Sequence, residues 1–259
     1  MTKVLTIAGS DSCCGAGIQA DIKTISALGG YALSAICAIT AQNTCEVKSA
    51  FNLPLEMISE QIDAIFEDLP PSSLKCGMLS SAEIITCVAD SLVRHKAKNI
   101  VIDPVMVSKS GFKLLEDSAI SALKSEILPL ADVVTPNIPE AEILADMKIS
   151  NLNEMCIAAR KIHSLGAKNV LIKGGHLQGD STDILYDGVD FCEFTTKRID
   201  TKNTHGTGCT LSAAIAFFIG NGQDIRTAIQ SAKNYVTGAI ENSLDIGHGH
   251  GPLGHFWNW

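Results

Sequence analysis

The sequence predicts one doubly wound α/β domain over residues 1–259, with a central, mostly parallel sheet and helices on both faces. Short β-branched apolar runs alternate with helix-period segments from end to end. Those runs are apolar on both faces, as parallel strands covered from both sides must be. No linker, repeat or low-complexity stretch interrupts the rhythm. With 46% hydrophobic and 19% charged residues, the chain has ample material for one large core.

In chain order, residues 4–8 are the first expected strand and 16–28 the crossover helix behind it. Strand 35–39 is followed by helix 57–66, strand 74–78 by helix 82–94, and strand 100–103 by helix 118–127. Strand 132–135 leads into helices 139–147 and 152–165, and 170–173 is the sixth strand. Segments 183–186 and 191–196, split by Asp187-Gly188, read as an antiparallel pair near the sheet edge. Helices 207–218 and 225–242 close the chain. Residues 45–51 are left as a short flap or a surface for a second copy in a homodimer.

A net charge of −8 and a pI near 5.3 disfavour nonspecific nucleic-acid binding. No run is long enough to cross a bilayer, and residues 1–9 read as strand and turn, not as a signal peptide. Nine cysteines, an odd number, are scattered without a CxxC pair, so a reduced, cytoplasmic protein is expected. His248, His250 and His255 lie among glycines and read as a structured tail, not a metal site.

In doubly wound sheets, ligands bind beyond the carboxyl ends of the strands. Six polar or Gly-rich clusters fall on that edge: Gly9-Ser10-Asp11, Gln42-Asn43, Asp103-Pro104, Pro136-Asn137 with Glu140, Lys173-Gly174-Gly175, and Gly206-Thr207-Gly208-Cys209. The last opens a helix, whose start leaves N–H groups unpaired and carries the positive end of the dipole. Gly206 and Gly208 expose those groups without a Cβ in the way, which makes an anion cradle. The same field is expected to lower the pKa of the Cys209 thiol. A phosphate cradle beside a proton acceptor is what phosphoryl transfer to an alcohol requires.

These residues resemble the ribokinase-like superfamily, whose late signature ends in Gly-x-Gly and a catalytic residue at a helix start. Most of its sugar kinases carry Asp there. Cys209 is similar instead to the vitamin kinase branch, and within it to the hydroxymethylpyrimidine/phosphomethylpyrimidine kinases of thiamine biosynthesis. The resemblance extends over Ala8-Gly9-Ser10-Asp11-Ser12, Gly15 to Asp21, Thr40 to Thr44, Lys75 to Leu79 and Asp103 to Met106. It continues through Thr135 to Ala141, Lys173-Gly174-Gly175-His176 and Gly249 to Pro252. One departure is visible: Cys13-Cys14 stands where the family usually has Ser-Gly, and Cys14 removes glycine's freedom to adopt φ > 0.

The resemblance implies ATP and Mg2+ as cofactors and a role for each cluster. Cys209 would take the proton of the acceptor hydroxyl, while the amides of Gly206, Thr207, Gly208 and Cys209 would stabilise charge on the transferring phosphoryl group. Lys173 and Lys233 would face the nucleotide, and Asn137 and Glu140 would project towards magnesium and its waters, with Asp103 orienting the metal shell. Gln42 would read the donor–acceptor edge of an aminopyrimidine. Gly9, Met78 and Val105 would give backbone approach and an apolar slot, with Asp21 on the substrate side. Two alternatives stay open: a pyridoxine or pyridoxal kinase of the same branch, and a nonenzymatic nucleotide-binding sensor.

Overall fold

The apolar runs assemble into one nine-stranded sheet with the order β3-β2-β1-β4-β5-β6-β7-β8-β9. The structure, a computed structural model, describes residues 1–108, 111–116, 118–175, 177 and 179–259. His176 lies outside them. The strands are β1 (Lys3–Asp11), β2 (Tyr31–Gln42), β3 (Val47–Asn52), β4 (Ser73–Cys76), β5 (Ile100–Ile102), β6 (Val133–Val134), β7 (Val170–Ile172), β8 (Ser181–Tyr186) and β9 (Phe191–Thr196). The helices are α1 (Gly17–Ala27), α2 (Leu55–Asp68), α3 (Ala82–Arg94), α4 (Ala119–Ala122), α5 (Ile138–Ala145), α6 (Leu152–His163), α7 (Thr207–Gly220) and α8 (Ile225–Glu241). Strands β2, β1, β4, β5, β6 and β7 pair in parallel, while β3, β8 and β9 add antiparallel edges.

Alternation along each strand divides the core in two. In β5, Ile100 and Ile102 face one side with Ile58, Ile62, Ile85, Val88 and Ile162. Val101 faces the other, with Val133, Leu171, Ile215, Phe217 and Ile229. Helix α7 is buried almost continuously from Thr210 to Phe217, because it lies against the sheet and is flanked by α1 and α8. That burial fixes where its N-terminus ends up, at the carboxyl edge of the central strands.

Three expectations change. The 45–51 segment runs into β3, an edge strand on β2; only Val47 of that strand is buried, so it has no alternating apolar signal. The 118–127 helix is one α turn, then a π turn (Leu123–Ile127) and a 3-10 turn (Leu128–Leu130), where Pro129 offers no N–H to a regular ladder. Strands β1 and β2 run to Asp11 and Gln42, further than their apolar runs, because ladder pairing carries polar residues along with it. No helix among the described residues is long and apolar enough to cross a membrane.

Candidate active site

Strand ends and one helix start build the site. At the phosphate side, β5 delivers Asp103 and β7 delivers Lys173, and their side chains pair at 2.8 Å (Nζ to Oδ1). Asp103 Oδ1 also accepts from the Thr135 hydroxyl at 3.2 Å. Asp103 is 2% exposed, and its burial alone would raise its pKa; the Lys173 and Lys75 ammonium groups outweigh that and hold it below the ordinary carboxylate range. Burial works against the charge on Lys173 too, but Asp103 and Glu140 raise its pKa overall. Gly208 lies over this pair: a Cβ there would stand 3.3 Å from Lys173 Nζ and 3.6 Å from Asp103 Oδ2. The start of α7 and the Lys173 cation therefore face the same space.

Asn137 and Glu140 do meet, but largely through each other. They form a capping box at the start of α5, with Glu140 N donating to Asn137 Oδ1 (3.0 Å) and Asn137 N to Glu140 Oε2 (2.8 Å). The Asn137 side chain thus caps a helix. Glu140 is 5% exposed, and burial pushes its carboxyl up to about 7, against the pull of Lys173; Asp103 adds to the rise.

At the acceptor side, Gly9 and Gln42 both sit where strand register shifts, in the β1/β2 and β2/β3 pairings respectively. The Ser12 hydroxyl donates to Gln42 O (2.7 Å) and accepts from Gln42 N (2.8 Å), and the Thr40 hydroxyl donates to Gln42 Oε1 (3.2 Å). His205 Nε2 lies 2.9 Å from Asp11 Oδ2 and 3.3 Å from Gln42 Nε2. Asp11 is a buried acceptor, so its carboxylate accepts a hydrogen bond from the His205 Nε2–H. The Gln42 amide nitrogen then faces a donor and keeps its own protons for another acceptor. Burial would raise the Asp11 pKa, but bonds from His205, Ala16 and Cys13 lower it overall. Met78 packs on Gly9 and lines a cavity of about 410 Å³ with Phe51, Asn52, Ser80, Phe112 and Leu115. Val105 is half-buried, its N–H on Asp103 O.

Beneath both sides lies a buried ion pair, Lys75 Nζ to Asp21 Oδ2 at 2.8 Å, each side chain 0% exposed. The Thr6 hydroxyl donates to the same oxygen, and Asp21 Oδ1 has no hydrogen-bond partner among the described residues. Asp21, expected on the substrate side, is therefore a core carboxylate with no exposed side-chain surface. Burial disfavours the charge on Lys75, yet Asp21, with Cys209 and Asp103, raises its pKa. Cys209, in the first turn of α7, is near enough to feel that ammonium.

The expected acidity of Cys209 is corrected. Burial pushes the thiol up to about 11, with Asp21 and Asp103 adding to the rise, and the Lys75 charge and a bond from the Gly17 N–H only partly offset it. Cys209 is half-buried, and partial loss of solvent together with the nearby carboxylates outweighs the helix-start field. Lys233 is placed apart from Lys173. It is buried in a 2.6 Å pair with Asp183, whose Oδ1 accepts from Gly174 N, so it supports the Lys173-Gly174 loop from behind.

Sequence reasoning missed Lys75, His205 and Asp183, and gave Asp11, although within a site cluster, no role of its own. Lys75 had a signal, a charge inside the apolar run Leu74-Lys75-Cys76. His205 had only its adjacency to the Gly206 turn.

Residues 11–254 match the phosphomethylpyrimidine kinase family. The thiamine biosynthesis bifunctional protein of Geobacter sulfurreducens is 51% identical over 97% of the chain, which spans 52% of that protein's length. The hydroxymethylpyrimidine/phosphomethylpyrimidine kinase of Bacillus subtilis is 47% identical over 98% of the chain and 94% of its own length. Among solved structures, the ADP complex of Bacillus subtilis pyridoxal kinase superposes with a TM-score of 0.92 at 39% identity, over 98% of this chain and 97% of that one.

Proposed function

The chain belongs to the phosphomethylpyrimidine kinase family, and from that premise we propose that it phosphorylates 4-amino-5-hydroxymethyl-2-methylpyrimidine with ATP, then its monophosphate, in thiamine biosynthesis. It is a kinase of ribokinase-like fold, and a merely sensing role is set aside. The observation that carries the reading is the convergence of Cys209, the Gly208 amide region and the Lys173–Asp103 pair at one helix start.

Each residue has a task in that reaction. Lys173 holds the nucleotide phosphates as a movable point charge. The amides of Gly206, Gly208 and Cys209 stabilise the equatorial oxygens of the transferring phosphoryl group, while Thr207, expected among them, spends both its N–H (3.3 Å) and its hydroxyl (2.8 Å) on Thr204 O. Gln42 accepts and donates along the pyrimidine edge, with Asp11 and His205 holding its surroundings. Cys209 takes the proton of the hydroxymethyl group as its oxygen attacks. The second step differs: its acceptor is a phosphate oxygen, already largely ionised at neutral pH. Cys209 has no proton to remove there.

The donor set fits magnesium. Asp21, Asp103 and Glu140 set three buried carboxyls against the two ammonium groups of Lys75 and Lys173. Burial raises the carboxyls of Asp21 and Glu140, so what fits this ion is the hard carboxylate oxygens of Asp103 and Glu140 beside Lys173, whose ionised forms a bound cation would favour. Asp103 and Glu140 would hold it, and it would supply charge neutralisation on the phosphates.

The likeness to a pyridoxal kinase favours a second reading, phosphorylation of a B6 vitamer. A substrate panel separates the two. With ATP and magnesium, the hydroxymethylpyrimidine and its monophosphate should turn over with higher kcat/KM than pyridoxal or pyridoxine, and excess chelator should abolish turnover. Preference for pyridoxal would replace the first reading with the second. The nine free thiols suit a reducing cytoplasm. A homodimer through the exposed β3 edge, where Phe51 is 68% exposed, is checked by light scattering of the Phe51→Glu variant against wild type.

A further inference from the structure

A second set of donors meets away from the phosphate cluster, in the loop after β1. Asp11 Oδ2, Cys13 Sγ and His205 Nε2 come from two segments nearly two hundred residues apart and lie within 4.8 Å of one another. Asp11 Oδ2 is 2.9 Å from His205 Nε2 and 3.4 Å from Cys13 Sγ. A tetrahedral zinc ion with sulfur at about 2.3 Å and nitrogen or oxygen at about 2.0–2.2 Å separates its ligand atoms by roughly 3.3–3.8 Å. The three atoms need only sub-ångström to ångström adjustments to reach that spacing.

The surroundings hold them in place. The Asp11 carboxylate is fixed by the N–H groups of Cys13, Gly15 and Ala16. The His205 ring fills the space that a Cβ on Gly15 would need, so it has little room to turn. Asp11 and His205 are buried and Cys13 is half-buried. Thiolate, imidazole and carboxylate form a borderline-soft set that selects zinc over magnesium.

We propose that Asp11, Cys13 and His205 form a zinc site, distinct from the magnesium-facing carboxylates, that sits beside Gln42. Binding replaces the Cys13 and His205 hydrogens now held against Asp11 Oδ2, which keeps its bonds from the Gly15 and Ala16 N–H groups. The thiol releases its proton to solvent, and the neutral imidazole moves its proton from Nε2 to Nδ1. Because His205 Nε2 is 3.3 Å from the Gln42 amide, zinc here obstructs the acceptor and not the nucleotide. That last consequence rests on the proposed acceptor site; the binding itself does not.

The test uses the full chain, freed of metal and titrated with zinc against a chromophoric chelator, with Co2+ as a second probe. One zinc should bind, and Co2+ should give thiolate-to-metal charge-transfer absorption. Cys13→Ser and Cys13→Ala, shown to be folded by circular dichroism, should each weaken zinc by more than about tenfold and abolish the cobalt band. Cys14→Ser and Cys209→Ala should bind as wild type does. Equal zinc affinity in wild type and both Cys13 variants would overturn the site, as would loss of binding in Cys209→Ala. Zinc should also inhibit wild type competitively with the acceptor and noncompetitively with ATP, and spare Cys13→Ser. If zinc binds but inhibition is competitive with ATP instead, the ion site stands and the acceptor assignment fails.

Discussion

Gly206 is the position where a single methyl group should separate fold from catalysis. Its φ is +84°, and an added Cβ would lie 1.8 Å from Gly15 O, about 1.6 Å short of an ordinary contact. The obstacle is backbone, so the turn itself must retreat. The left-handed conformation adds roughly 1–2 kcal/mol of strain for a residue with a side chain. Displacing the amides of Gly208 and Cys209 by more than 1 Å should cost on the order of 100-fold in kcat. Gly222 supplies the control: its φ is +90°, with nothing within 4 Å of an added Cβ. Gly222→Ala should carry the strain alone, lowering Tm by a few degrees and leaving kcat unchanged. The assay is steady-state turnover at saturating ATP and acceptor, with thermal unfolding of both variants alongside. A Gly206→Ala enzyme with kcat within threefold of wild type would refute the cradle, and so would equal losses of kcat in the two variants.

Gln42→Ala should raise KM for the pyrimidine by a factor corresponding to about 1–3 kcal/mol while KM for ATP stays put, measured by varying each substrate in turn. Glu140→Gln should raise Tm yet lower activity, since glutamine keeps the capping box and removes a buried charge. Burial raises the Glu140 carboxyl from 4.5 to about 7, so the folded state favours its neutral form. The destabilisation therefore develops as pH rises from 4.5 through 7, and the Tm gain of Glu140→Gln should grow over that window and level off above it. With the thiol pushed up to about 11, kcat/KM for the hydroxymethyl acceptor should climb with pH through 7–9; a plateau across that range would assign the proton to another group.

Much of the architecture was legible because parallel strands buried on both faces leave runs such as Ile100-Val101-Ile102, whose alternate residues feed the two cores. The turn before α7 was legible because its φ > 0 at Gly206 favours glycine. Strand β3 was not, since an exposed edge strand obeys no hydrophobic period. Long-range polar pairs were equally hidden: Asp21 and Lys75 lie 54 residues apart, and Asp11 and His205 are 194 apart. The spacing read for Asn137 and Glu140 also satisfies a capping box, which the fold forms and which only the structure showed. For Cys209, the helix start argued for an acidic thiol, but the buried carboxylates and lost water that oppose it come from elements distant in sequence.

Cys209 is most directly tested by replacing it and offering both acceptors to the variant. Cys209→Ala keeps the backbone amides and the helix start, so ATP affinity should hold within a few-fold. Turnover of the hydroxymethyl acceptor should fall by about 10²–10⁴, the usual contribution of a positioned base. Turnover of the monophosphate, whose attacking oxygen brings no proton, should fall far less, and Cys209→Asp should restore part of the first activity. Wild-type turnover of the alcohol by Cys209→Ala, or equal losses on the two acceptors, would contradict a proton-accepting Cys209.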